Sequence, residues 1–130
     1  MKTKLLMTSS AVFFGIIGIL LSFLPNEIAE YLSVEPTIIT ILFLQILGAL
    51  YLGFGILNWT AKGTLIGGIY NRPIALGNLM HFGVGAIALV KVAFKSITNP
   101  EIVISLAVAY AIFTVLFFYI FRKNPTKTEN

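Results

Sequence analysis

The chain has 130 residues, 58% of them hydrophobic and 11% charged, with a formal net charge of +4. A water-soluble domain of this length leaves too much of its surface in water to hide so much apolar area, so the solvent for most of the chain is lipid. The absence of cysteine and aspartate and the single histidine argue against disulfides, thiolate chemistry and a metal site made from protein ligands alone, and imply no cofactor.

A helix needs about 20 apolar residues to cross roughly 30 Å of hydrocarbon. The first segment of that length is residues 5–24, "LLMTSSAVFFGIIGILLSFL". It follows "MKTK" as a signal peptide would, but an apolar run of about 20 exceeds the 7–15 of a signal core, and no A-x-A site follows. We expect a retained helix. Thr8, Ala11, Gly15, Gly18 and Ser22 recur at steps of three and four and share one face of small residues.

The connection "PNEIAEYLSVEP" holds three glutamates and no basic residue. Ile28, Tyr31 and Leu32 fall on one side of a helical pattern and Glu27 and Glu30 on the other, which predicts a short helix lying on the outer surface as a lid. The second span is residues 37–57, opened near Pro36. Gln45, Gly48, Leu52 and Gly55 share a face, with Ala49 and Gly53 alongside as a small-xxx-small pair. Asn58 and Trp59 end this span. The next connection, "NWTAKGTLIGGIYNRP", places Trp59 and Tyr70 in the headgroup belt, and "TLIGGIY" is expected to dip along the interface.

Pro73 opens the third span, residues 73–94, whose one charge, Lys91, lies near its end and can snorkel. Gly77, His81 and Gly85 are spaced by four on one face. The fourth span is residues 102–121, with Asn99 as N-cap, Pro100 at the first helical position and Glu101 complementing the helix dipole. Ala107, Ala111 and Thr114 form its small face. A polar tail, residues 122–130, closes the chain.

Orientation follows from lysine and arginine. Lys2, Lys4, Lys62, Arg72, Arg122, Lys123 and Lys127 belong to one side and Lys91 and Lys95 to the other. The reading is an all-α fold: one domain, residues 1–130, a multi-pass bundle of four transmembrane helices in an inner cell membrane with both termini in the cytoplasm. Glycines 15, 18, 48, 53, 55, 77 and 85, read as Gly15, Gly18, Gly48, Gly53, Gly55, Gly77 and Gly85, are assigned to helix packing.

Polar side chains within a span are the candidates for function. His81 lies about 12 Å from the cytoplasmic side at roughly 1.5 Å per residue, with Asn78 one turn nearer the surface. Gly77 and Gly85 flank the imidazole and leave room for a neighbouring helix or a pocket. Asn58 and Trp59 reach the same level, so Asn58 is placed to meet Asn78, while Gln45 sits nearer the outer face. These five form a tentative ligand-binding or interhelical polar cluster. No nucleophile elbow, phosphate-binding loop or dinucleotide fingerprint occurs, so no catalytic or metal residue is assigned and the chain is not read as an enzyme. The basic residues sit at segment ends and make no nucleic-acid stripe.

The strings "GIIGILLSFLPNEIAEYL", "LQILGALYLGFGILNW" and "NLMHFGVGAIAL" give the chain a resemblance to the DoxX-like four-helix bacterial membrane proteins, over about three quarters of its length. The resemblance implies the four-helix architecture and, for that group, a quinone-linked redox role. From the residues themselves three readings stay open. The first is an accessory or structural subunit packing against itself or other membrane subunits. The second is a binder of an apolar or amphipathic molecule, lipid or quinone-like, in a groove near His81. The third is a small transporter or channel.

Overall fold

Lipid offers the backbone no hydrogen bonds, so a crossing segment satisfies its own as a helix, and the apolar runs do so. A computed structural model describes residues 3–95 and 97–124. It is all-helical: α1 Thr3–Phe23, α2 Pro25–Tyr31, α3 Ile38–Ala61, α4 Arg72–Ala93 and α5 Pro100–Arg122. Four of them, α1, α3, α4 and α5, are long and apolar enough to cross a membrane, which makes this a small integral membrane protein. Lys2, Lys127 and the end of the polar tail lie outside the described residues.

The chain divides into two compact units, one of Met7–Lys62 and one of Met1–Leu6 with Gly63–Asn130. In the first, α1 and α3 meet through glycine. A methyl added to Gly18 would lie 2.9 Å from the Leu52 nitrogen and 3.0 Å from the Gly48 oxygen, and one added to Gly48 would lie 2.8 Å from the Ser22 nitrogen. Backbone-to-backbone approach of this kind is how helices associate where burial from water gives no drive. Gly55 packs near the Ala11 oxygen and the Gly15 nitrogen, each 3.3 Å from where its Cβ would be. Gly15 and Gly53, by contrast, have open space at their own Cβ positions. Phe14 is fully buried, edge-on to Tyr51 at 5.5 Å between centroids and tilted against Phe54 at 5.4 Å.

The acidic connection does form a helix, α2, with Pro25 at its first turn and Ala29 fully buried. Its end is a Schellman motif: Val34 N–H donates to the Ala29 carbonyl at 2.9 Å, Ser33 N–H to that of Glu30 at 3.0 Å, and Ser33 takes φ 57°. Ile28 is half-buried, but Tyr31 and Leu32 remain exposed, so the apolar side is narrower than the pattern predicts. Pro36 does not open α3. Thr37 caps it instead, its Oγ1 accepting from Thr40 N–H at 3.1 Å. The helix also runs four residues past Leu57, to Ala61, because "NWTA" holds no breaker before Gly63. Asn58 and Trp59 are therefore helical.

In the second unit α4 and α5 run antiparallel: the Arg72 guanidinium, at the start of α4, lies 4.9 Å from the ring centre of Phe121, at the end of α5. Fully buried Phe82 fills the seam, stacked on Phe113 at 4.6 Å and Phe117 at 5.8 Å. Asn99 stands at the N-cap position of α5, but with φ 53° and no side-chain capping bond. Its role there is to turn the chain in the left-handed region that asparagine tolerates, and the expected cap is not made.

The connection before α4 folds into a tight turn. Gly67 and Tyr70 exchange two backbone hydrogen bonds of 2.9 Å, closing a tight turn. That turn sits on the end of α5: Gly68 N–H donates to the Ile120 carbonyl at 3.2 Å, and Ile69 N–H to Asn124 Oδ1 at 3.1 Å. The Ile120 carbonyl belongs to the last turn of α5 and also accepts from Lys123 N–H at 3.1 Å, so the turn shares this acceptor with the helix cap. Gly67 adopts φ 132° and a Cβ there would lie 2.7 Å from the Lys123 oxygen, so conformation and contact both require glycine. Asn71 Nδ2 braces the loop on the Leu65 carbonyl at 2.6 Å.

Candidate functional site

Polar side chains of the spans make hydrogen bonds within each of the two units. On α4, His81 is half-buried and its Nε2 lies 3.0 Å from the Tyr110 hydroxyl of α5. Either atom can donate, depending on the imidazole tautomer. The two rings are tilted at 44° with centroids 5.4 Å apart, and Phe82 meets both edge-on. Gly85 makes this geometry possible: a Cβ on it would come within 2.7 Å of Tyr110 Cδ1. The room left by this glycine is thus taken by a neighbouring helix, through the tyrosine ring. Tyr110, 4% exposed, is one of two partners that the sequence reading does not single out. The one available signal was its hydroxyl, polar in the middle of an apolar run.

Asn78, one turn before His81, is fully buried, and its Nδ2 donates to the Ile74 carbonyl at 2.9 Å. Thr114, one turn after Tyr110, donates to the Tyr110 carbonyl at 2.7 Å. Both hydroxyl- and amide-bearing side chains here use the preceding turn of their own helix, as such groups do in lipid.

Asn58 of α3 is also fully buried, and its Nδ2 donates to Ser10 Oγ of α1 at 2.9 Å. The Ser10 hydroxyl in turn donates to the Met7 carbonyl at 3.0 Å. Ser10 is the second partner that the sequence alone does not mark. Trp59, next to Asn58, is half-exposed and points along a shallow apolar groove of about 210 Å³ floored by Ala11, Gly15 and Gly55. The Lys62 ammonium lies 3.0 Å from the Trp59 ring centre, a cation–π contact suited to the headgroup level.

Gln45 stands apart. It is exposed on α3 and lines a pocket of about 400 Å³ with Asn26, Pro36, Ile38, Ile41 and Leu42.

Among the described residues no buried side-chain nitrogen or oxygen lacks a hydrogen-bond partner, and no group of three His, Cys, Asp or Glu side chains is placed to hold a metal. Chemically, His81–Tyr110 and Asn58–Ser10 are each a side-chain hydrogen bond between two helices, the second passed on by Ser10 to the Met7 carbonyl of its own helix. Compared with known protein families, curated proteins and solved structures, the chain matches none.

Proposed function

We propose that this protein is an accessory or structural subunit of an inner cell membrane, with both termini in the cytoplasm, which packs against a second copy of itself or against other membrane subunits. The observation that supports this reading is Gly53. It lies inside the spanning helix α3, is exposed, and has nothing within 4 Å of the position a Cβ would occupy. A glycine in a helix interior costs about 1 kcal/mol relative to alanine, and no contact at its Cβ position with another described residue offsets it. With Ala49 one turn before it, also exposed, it forms a small-xxx-small face suited to close approach by an external helix.

Binding in a groove at His81 has less support, since Tyr110 fills the notch at Gly85 and bonds the imidazole. The kinship with DoxX-like proteins is part of the proposal, supported by the succession of four apolar helices. The test is extraction of the tagged protein in a mild detergent, followed by native mass spectrometry. We expect an assembly larger than one chain, and its loss in Gly53→Leu, a change that meets open space within the chain. A wild-type protein that is monomeric and binds no other membrane protein overturns the proposal.

A further inference from the structure

The pocket at the junction of α2 and α3 differs from the other polar places in the spans, because its two amides are not used by the chain. Gln45 is the eighth residue of α3, about 10 Å along the helix from Ile38 at roughly 1.5 Å per residue. This depth is inside the apolar part of the span. Asn26 faces the same pocket from α2, and Ile38, Ile41 and Leu42 supply the apolar wall. Neither the Gln45 nor the Asn26 side chain forms a hydrogen bond with another described residue. Hydrocarbon cannot satisfy an amide, so a polar group held at this depth calls for an external partner.

The charge around the pocket selects that partner. Glu27 follows Asn26 and Glu35 precedes Pro36, both pocket residues, and Glu30 lies on the same helix as Asn26. None of the three carboxylates forms an ion pair with a described residue. No lysine or arginine occurs between Lys4 and Lys62. A lipid with only an anionic headgroup is repelled by these three carboxylates, and a headgroup that carries an ammonium is attracted. Between ammonium headgroups, a primary ammonium donates hydrogen bonds to carboxylates, whereas a quaternary one has no N–H to give. A second copy docking here would bring three more glutamates to face these three.

The geometry points to a binding site for an ethanolamine phospholipid. Its ammonium lies among Glu27, Glu30 and Glu35, its ester and phosphate oxygens accept from the Asn26 and Gln45 amides, and an acyl chain runs along Ile38, Ile41 and Leu42. Gln45 lies on the same side of α3 as Ala49 and Gly53, one and two turns before them, and the variants below separate the two proposals.

The test uses full-length protein in detergent, titrated with ethanolamine, choline and glycerol phospholipids of the same acyl chains and read by native mass spectrometry. The ethanolamine lipid is retained most strongly. Gln45→Leu and, separately, Asn26→Ala weaken its retention about tenfold, the loss of one hydrogen bond's worth of affinity. Glu27→Gln with Glu35→Gln removes the preference for ethanolamine over choline while retention of both persists. Equal retention of the three lipids by the wild type, preference for the glycerol lipid, or unchanged retention in both amide variants overturns the site. So does a Gln45→Leu protein that loses its oligomeric state but keeps its lipid, which assigns the amide to a second copy. Loss of oligomer in Gly53→Leu with lipid retention intact bears on the proposed function alone.

Discussion

The Tyr110 ring meets α4 at two successive turns: its hydroxyl lies 3.0 Å from His81 Nε2, and its edge fills the notch at Gly85. One side chain thus fixes both the polar contact and the register of α4 on α5. Hydrogen bonds between membrane helices are worth about 0.6 kcal/mol on average and up to about 1.7. Tyr110→Phe keeps the ring and removes the hydroxyl, so a destabilisation in that range is expected. A double-mutant cycle with His81→Leu, read by unfolding in mixed micelles, should return a coupling of about 0.6 kcal/mol. Zero coupling would mean that the two groups touch without holding each other.

Gly85 and Gly83 provide an internal comparison. A Cβ on Gly85 runs into Tyr110, while one on Gly83 meets Thr114 Cγ2 at 3.7 Å, an ordinary contact. Gly85→Ala should therefore cost about 1–3 kcal/mol through overpacking. Gly83→Ala should be neutral, or stabilising by up to about 1 kcal/mol through helix propensity. Thermal denaturation of the two variants in the same detergent decides this, and equal shifts would contradict the packing described.

Ser10→Ala removes a hydrogen bond from the buried Asn58 amide and should destabilise by about 1 kcal/mol, the net worth of such a bond. Ser9→Ala, one residue away and exposed, should stay within about 0.5 kcal/mol. The same unfolding assay ranks them, and a reversed order would remove the Ser10–Asn58 contact from the account of how α1 is held to α3.

Gly67→Ala introduces a side chain at φ 132° and against the Lys123 and Ile120 oxygens. The expected result is release of the turn from the end of α5. Amide hydrogen exchange is the suitable measurement: the Gly68 and Ile69 amides should lose protection, while amides in the middle of α5 keep theirs. Unchanged protection at these two positions would show that the turn tolerates a Cβ.

The number and place of the spans were legible because lipid imposes a length and a composition that can be counted along the chain. Local signals did less well at helix ends. Pro36 and Thr37 both suit the start of α3, and only the Thr40 N–H accepted by Thr37 decides between them. Asn99 is a good cap by residue type, yet its backbone entered the left-handed region instead. The site was half-legible. His81, Asn78 and Asn58 are conspicuous as polar groups in apolar runs, but Tyr110 and Ser10, the partners of two of them, depend on the register of one helix against another. That register is set by close contacts such as Gly85 on Tyr110, between residues distant in sequence. The same is true of Gln45 and Asn26, which share a pocket only because the chain folds back from α2 into α3.

The turn at Gly67 and Gly68 also carries a consequence for the order in which the chain is made. Ile69 binds Asn124 across 55 residues, so the turn leaves the ribosome long before the helix end that receives it. Its amides must stay hydrated through the insertion of α4 and dock only once the end of α5 has been made. The segment works as a latch that waits for α5, and a chain truncated before Ile120 would enter the membrane with this latch open.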